Sequence, residues 1–272
     1  MFVNVHAHLY AHDDLDLIIE HHRHPDVRWT CFCGIAESDN PAVKKAMEQY
    51  PDFVVGLGVV ELGKKTADPD AVSHLHEQGF KGLKLIYPFE RYDSEKYFPV
   101  YERAQSLDMP ILFHTGFVAL EPPGDRPGAT MTKMRPDCFD AIARGFPNLK
   151  IIGAHLGVPY YWEAVSMATY HENVYFDLTG GCVRALPLPT LRSIFSFADL
   201  YSTPGRTGID MPSEELRVNT ELFRKILFGT DGPSPQYLLD FYIYLMDAFR
   251  VEDAIRKGVL GETAARLFGL KA

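Results

Sequence analysis

The chain has 272 residues, 46% apolar and 23% charged, and its 27 Lys and Arg against 36 Asp and Glu leave a net charge of −9. A chain this long buries about three-quarters of its unfolded surface without help from disulfides or a structural metal, and its acidic balance argues against the nucleic-acid backbone as main partner while leaving an anionic small molecule open. Four cysteines with no CxxC pair exclude a disulfide scaffold and a zinc ribbon, no apolar run reaches membrane-spanning length, and residues 1–10 lack the apolar stretch of a secretion signal, so the expected location is the cytoplasm.

Eight short apolar runs follow one another, at 2–6, 29–35, 53–60, 82–87, 110–114, 149–155, 174–178 and 226–229. They are short enough for strands and nearly unbroken in apolar character, as strands covered on both faces are. Amphipathic stretches alternate with them, at 41–50, 70–78, 97–107, 137–144, 160–170, 186–200, 214–224, 236–249 and 263–268. Asn40, Ser94 and Ser213 are placed to cap three of these, and Pro51, Gly79 and Gly145 to end three. The alternation predicts an α/β fold, a parallel (β/α)8 TIM barrel forming a single domain over 1–272. An open doubly wound sheet is disfavoured, because no G-x-G-x-x-G follows the first strand. Loops 117–135 and 201–212 are long and rich in Pro and Gly, as loops over a barrel mouth often are.

His6 and His8 stand two apart at the end of the first predicted strand, so both point to one face. His114 ends the fifth, His155 the sixth and Asp231 the eighth. In a barrel of this kind all these ends face the mouth. Five metal-competent side chains aimed at one cavity form a stronger signal than any one of them. Lys84 lies inside the fourth apolar run, where a charge is costly unless paired. Pointing inward, it could hold a substrate carboxylate or, once carboxylated, bridge two metals. Tyr87 and Phe117 are the expected apolar walls, and Arg126, Lys133 and Arg135 the expected anion contacts from the loop. His21, His22 and His24 read as a solvated helix end, His12 as a cap, and His171 as belonging to the opposite rim.

These residues resemble the amidohydrolase superfamily, and within it the amidohydrolase-2 branch of metal-dependent barrel hydrolases and decarboxylases. FDAIARGFPNLKIIGAHLG over 139–157, KGLKL over 81–85 and AARLFGL over 264–270 are similar to that branch. The resemblance implies that His6, His8, His114 and Asp231 hold one divalent metal ion. That donor set suits zinc, with manganese or iron as alternatives. His155 would then touch the attacking water or the substrate. Asn4 departs from the pattern, standing where many relatives carry an acid, and Thr263 stands where an Asn is common.

The implied reaction is hydrolysis of a small, anionic carboxylic ester, lactone or amide by a metal-activated water. Asp231 would take the water's proton and His155 would bond the developing oxyanion or the water. The alternative is a lyase that decarboxylates an aromatic or unsaturated acid, which GVPYYW over 157–162 resembles. A non-catalytic barrel is the third reading. Neither a nucleic acid nor a membrane is an expected partner, and self-association into a homo-oligomer is left open.

Overall fold

The computed structural model describes residues 1–63, 68–118, 130–196, 218–232 and 234–271. Eight parallel strands run in sequence order: β1 Phe2–His8, β2 Val27–Cys33, β3 Val54–Val59, β4 Gly82–Leu85, β5 Ile111–Phe113, β6 Ile151–Gly153, β7 Val174–Asp177 and β8 Ile226–Leu227. The sheet closes on itself where Val5 N–H donates to Phe228 O at 2.9 Å and Thr230 N–H to His6 O at 3.0 Å. The predicted TIM barrel is therefore what forms. All eight strands lie at or within two residues of their predicted runs, and helices fill the intervals between them.

Two apolar layers hold the barrel. The inner one joins Val3, Val5, Cys31, Val55, Leu57, Leu112, Ile152 and Leu227, and the C-terminal helix Thr263–Leu267 packs against it through Ala264 and Phe268. The outer one lies between strands and helices and includes Phe32, Leu83, Phe113, Phe139 and Phe176. Every side chain of β3, β4, β5 and β6 is buried, which is why those segments read as continuous apolar runs.

Register carries a functional detail. Asn4 pairs with Thr30 and Ala7 with Phe32, so three steps along β1 match two along β2. The extra residue is a bulge, and a bulge switches which face the following side chains take. Below it Val3 and Val5 join the inner core; above it His6 and His8 turn into the mouth.

Some local expectations change. Asn40 is the first residue of the helix Asn40–Gln49 rather than its cap, and its amide pairs with both Val59 N–H (2.8 Å) and Val59 O (2.9 Å), stitching that helix to β3. Ser94 makes no cap bond; its hydroxyl donates to Glu90 at 2.6 Å. A helix at Leu15–His22, capped by Asp14, buries His22, which is 1% exposed rather than solvated. Ser213, the loop 201–212 and Arg126 lie outside the described residues.

Candidate active site

The strand ends bring three ligand atoms together. His6 Nε2 lies 3.3 Å from His8 Nε2, His8 Nε2 lies 3.0 Å from Asp231 Oδ1, and His6 Nε2 lies 3.3 Å from that same oxygen. Ligands about 2.0–2.1 Å from one ion sit ~3.0–3.4 Å apart at octahedral to tetrahedral angles, so this triangle has the size a divalent ion requires. His155 stands at its edge, with Nδ1 4.0 Å from Asp231 Oδ2 and its ring centroid 5.4 Å from that of His6. His6, His155 and Asp231 offer ligand atoms all within 4.8 Å of one another, as do His6, His8 and Cys33.

Hydrogen bonds on the far side of each ring decide which nitrogen faces the centre. His6 Nδ1–H donates to Asp177 Oδ2 at 2.9 Å, leaving Nε2 bare. His8 Nδ1–H donates to Cys33 O at 3.2 Å, which turns Nε2 toward the centre. Such outer partners fix tautomer and ring orientation at metal sites. The donor set, its spacing and its tautomers therefore fit a divalent ion held by His6, His8 and Asp231.

His114 does not join the triangle. Its Nε2–H donates to Phe117 O at 3.1 Å, and its ring packs edge-on to His155 at a centroid distance of 4.8 Å. Asn4 is no ligand either: its carboxamide donates to Thr230 Oγ1 (3.0 Å) and accepts from Thr230 N–H (3.1 Å) and His6 N–H (3.2 Å), tying β1 to β8.

The electrostatics follow from burial and crowding. Burial and then the Lys84 charge lower His6 to about 4. Burial opposes charge on His8 too, but the Cys33 sulfur and the Asp231 carboxylate outweigh it and lift His8 to about 10, so without an ion its Nε2 carries a hydrogen toward Asp231 Oδ1 that an ion would displace. Burial pushes Asp177 and Asp231 upward, yet the His6 imidazole holds both well below the usual carboxylate range. Burial, with His155 and Lys84 nearby, drives His114 well below the ordinary histidine value. His155 and Asp231 both adopt left-handed backbone, at φ of 63° and 64°, a conformation that costs energy and gathers at functional sites.

A cavity of 260 Å³ opens above the triangle, lined by His8, His114, His155 and Asp231 and walled by Tyr10, Ile86, Phe117 and Val158. Lys84 points inward, fully buried, and its Nζ donates to His6 Nε2 at 3.0 Å, a bond that an ion at that nitrogen would displace. The other expected contacts lie elsewhere. Tyr87 is fully buried and does not line the cavity. Arg135 is drawn away by a two-point pair with Glu163 and stacks 4.4 Å over the Tyr160 ring. Lys133 donates to Phe89 O at 2.6 Å. Sequence reasoning missed Asp177, although a carboxylate ending an apolar strand carries the same signal as Lys84. It also missed Tyr10, which the i, i+2 rule places beside His8; the two rings stack at 5.6 Å.

The family model described as Amidohydrolase matches residues 16–270. No curated protein matches the chain. Among solved structures, an uncharacterised TIM-barrel protein from Bordetella bronchiseptica is 19% identical, with 94% of this chain and 83% of that one covered and a TM-score of 0.68. A probable 2-pyrone-4,6-dicarboxylic acid hydrolase from Acinetobacter baumannii, with citric acid bound, is 14% identical over 99% of both chains, with a TM-score of 0.61. The 2,6-dihydroxybenzoate decarboxylase from Rhizobium is 16% identical over 98% of both, with a TM-score of 0.60. At these identities the likeness is one of fold.

Proposed function

The chain belongs to the amidohydrolase family, and from that premise we propose that it is a metal-dependent hydrolase of a small carboxylic ester, lactone or amide. The observation that carries the reading is the convergence of His6 Nε2, His8 Nε2 and Asp231 Oδ1 within 3.3 Å beneath an open cavity. A divalent ion held by these three supplies a Lewis acid that makes water nucleophilic near neutral pH. Zinc suits two imidazoles and one carboxylate with open positions, and manganese or iron are the alternatives.

Asp231 is held ionised, so it accepts a proton from the attacking water rather than giving one. Its Oδ1 faces the imidazoles, which leaves Oδ2, on the His155 side, to take that proton. His155 bonds the water or the reacting oxygen. Lys84, buried beneath His6 and outside the cavity lining, adds positive charge below the site that favours an anionic substrate, while Tyr10 and Phe117 exclude water from the substrate's apolar part. His114 becomes a further ligand if its bond to the Phe117 carbonyl is exchanged for one to the ion. The reacting part of the substrate is small, since the cavity above the triangle holds 260 Å³.

The apolar walls of that cavity favour one second reading, decarboxylation of a flat aromatic acid. One assay separates the two. The zinc-loaded protein is incubated with a panel of lactones, aryl esters and hydroxybenzoates, following acid release and carbon dioxide in parallel. Acid release without carbon dioxide supports the hydrolase. Carbon dioxide release from a benzoate replaces it with the lyase, and inertness toward every compound defeats both.

A further inference from the structure

Asp177 ends β7, is fully buried, and is not one of the three converging atoms. Both of its oxygens are nevertheless committed to the site. Oδ2 accepts His6 Nδ1–H at 2.9 Å. Oδ1 accepts His155 N–H at 2.8 Å, Thr179 N–H at 3.0 Å and the Thr179 hydroxyl at 2.6 Å. A hydroxyl has one hydrogen to give, and an ionised carboxylate can only accept. Thr179 therefore gives its hydrogen to Asp177. Toward His155 Nδ1, 2.7 Å away, its oxygen can then only accept. The hydrogen between them belongs to His155 Nδ1, which leaves Nε2 of the neutral ring as a bare lone pair. Gly180, at φ 79°, lets the backbone lie flat against this ring; a Cβ there would come within 3.0 Å of Nδ1.

We propose that Asp177 and Thr179 are positioning residues that hold His6 and His155 in the same Nδ1–H tautomer, so that a group meeting the His155 ring at Nε2 must donate a hydrogen bond to it. This rests on the reading that His155 faces the reacting group, and it narrows that reading. A water or a substrate hydroxyl qualifies as the partner of His155. A bare carbonyl oxygen does not until the ring has taken up a proton.

The test reads tautomers directly. Full-length protein labelled with 15N-histidine is examined by long-range proton–nitrogen correlation near neutral pH, with and without one equivalent of zinc. The His155 signals are assigned by their loss in His155→Gln. The expected pattern is Nδ1–H for His155, retained in Thr179→Ser and lost or mixed in Thr179→Val. Zinc affinity, measured by competition with a chelator, should fall about 10–100-fold in Asp177→Asn. In Thr179→Val, which leaves the His6–Asp177 bond in place, it should change only a few-fold. A His155 that carries its hydrogen on Nε2 in the native protein overturns the proposal, as does a pattern unchanged in Thr179→Val. Should Thr179→Val not fold, the native pattern alone decides. Turnover does not enter: an inert protein with the expected tautomers sinks the hydrolase reading only, and an active enzyme with Nε2–H His155 sinks this inference only.

Discussion

His6 answers to more neighbours than any other side chain of the site: Asp177 behind it, Lys84 below it, and His8 and Asp231 beside it, all within 3.3 Å. Removing it takes away one of the three convergent donors proposed to hold the ion, so His6→Ala should weaken zinc binding by at least ~100-fold, more than loss of an outer partner does. Elemental analysis of the purified variant checks this, and full occupancy would contradict the assignment. His22 makes a second residue-scale case. It is buried edge-on to Phe32 at 5.2 Å with Nδ1 unpartnered among the described residues, and burial, then the His21 charge, lowers it to about 4. The folded state thus resists protonation that the unfolded chain accepts near 6.5, so the stabilisation is complete above that pH and is lost as pH falls toward 4. Between pH 7 and 5 the loss is about 2 kcal/mol. Urea midpoints at the two pH values should show it in the native protein and a smaller loss in His22→Leu. The sequence marks His6, His8, His155 and Asp231 because rare polar residues end apolar runs. It could not mark His22, since the burial of one face of a short helix depends on what the barrel wall places opposite.

At the scale of elements, close approach sets the tolerances. Gly153 ends β6 where the Phe176 ring of β7 fills the space a side chain would take, and a Cβ there would also come within 3.0 Å of Phe139. Gly153→Ala should therefore cost about 1–3 kcal/mol through overpacking, seen as a lower urea midpoint with an unchanged m-value. Loop elements show the opposite tolerance. Arg135 is held by Glu163 and Tyr160 and is partly open to solvent, so Arg135→Gln should leave KM for an anionic substrate unchanged, whereas Lys84→Gln should raise it. Equal effects from the two variants would return Arg135 to the site. Strand positions were legible because unbroken apolar runs have few other uses in a chain of this composition. Caps were less so: Asn40 and Ser94 carry cap-forming side chains, yet each finds a stronger partner across the fold, in Val59 and Glu90.

For the molecule as a whole, an ion held as proposed by His6, His8 and Asp231 would link β1 to the segment after β8, where the barrel closes. Binding of zinc to the folded state alone should stabilise it by about 2.7 kcal/mol at a hundredfold excess over Kd. For a chain of this size that is a rise in Tm of about 5–10 °C, absent after chelation and in Asp231→Asn. A Tm indifferent to zinc would mean that the closure holds no ion. Periodicity and strand-end chemistry in the sequence determined the barrel, the mouth at which the site lies and four of the side chains that meet there, because backbone pairing and burial follow from local pattern. Only the tertiary structure decided that Asp177 stands behind His6, that His114 turns to a carbonyl, that Lys84 faces inward and that Arg135 turns away. The Asp177, Lys84 and Arg135 outcomes depend on which hydrogen-bond partner a side chain meets far along the chain, and the His114 outcome on how the turn after β5 aims the Phe117 carbonyl; no local pattern of residue types encodes either choice.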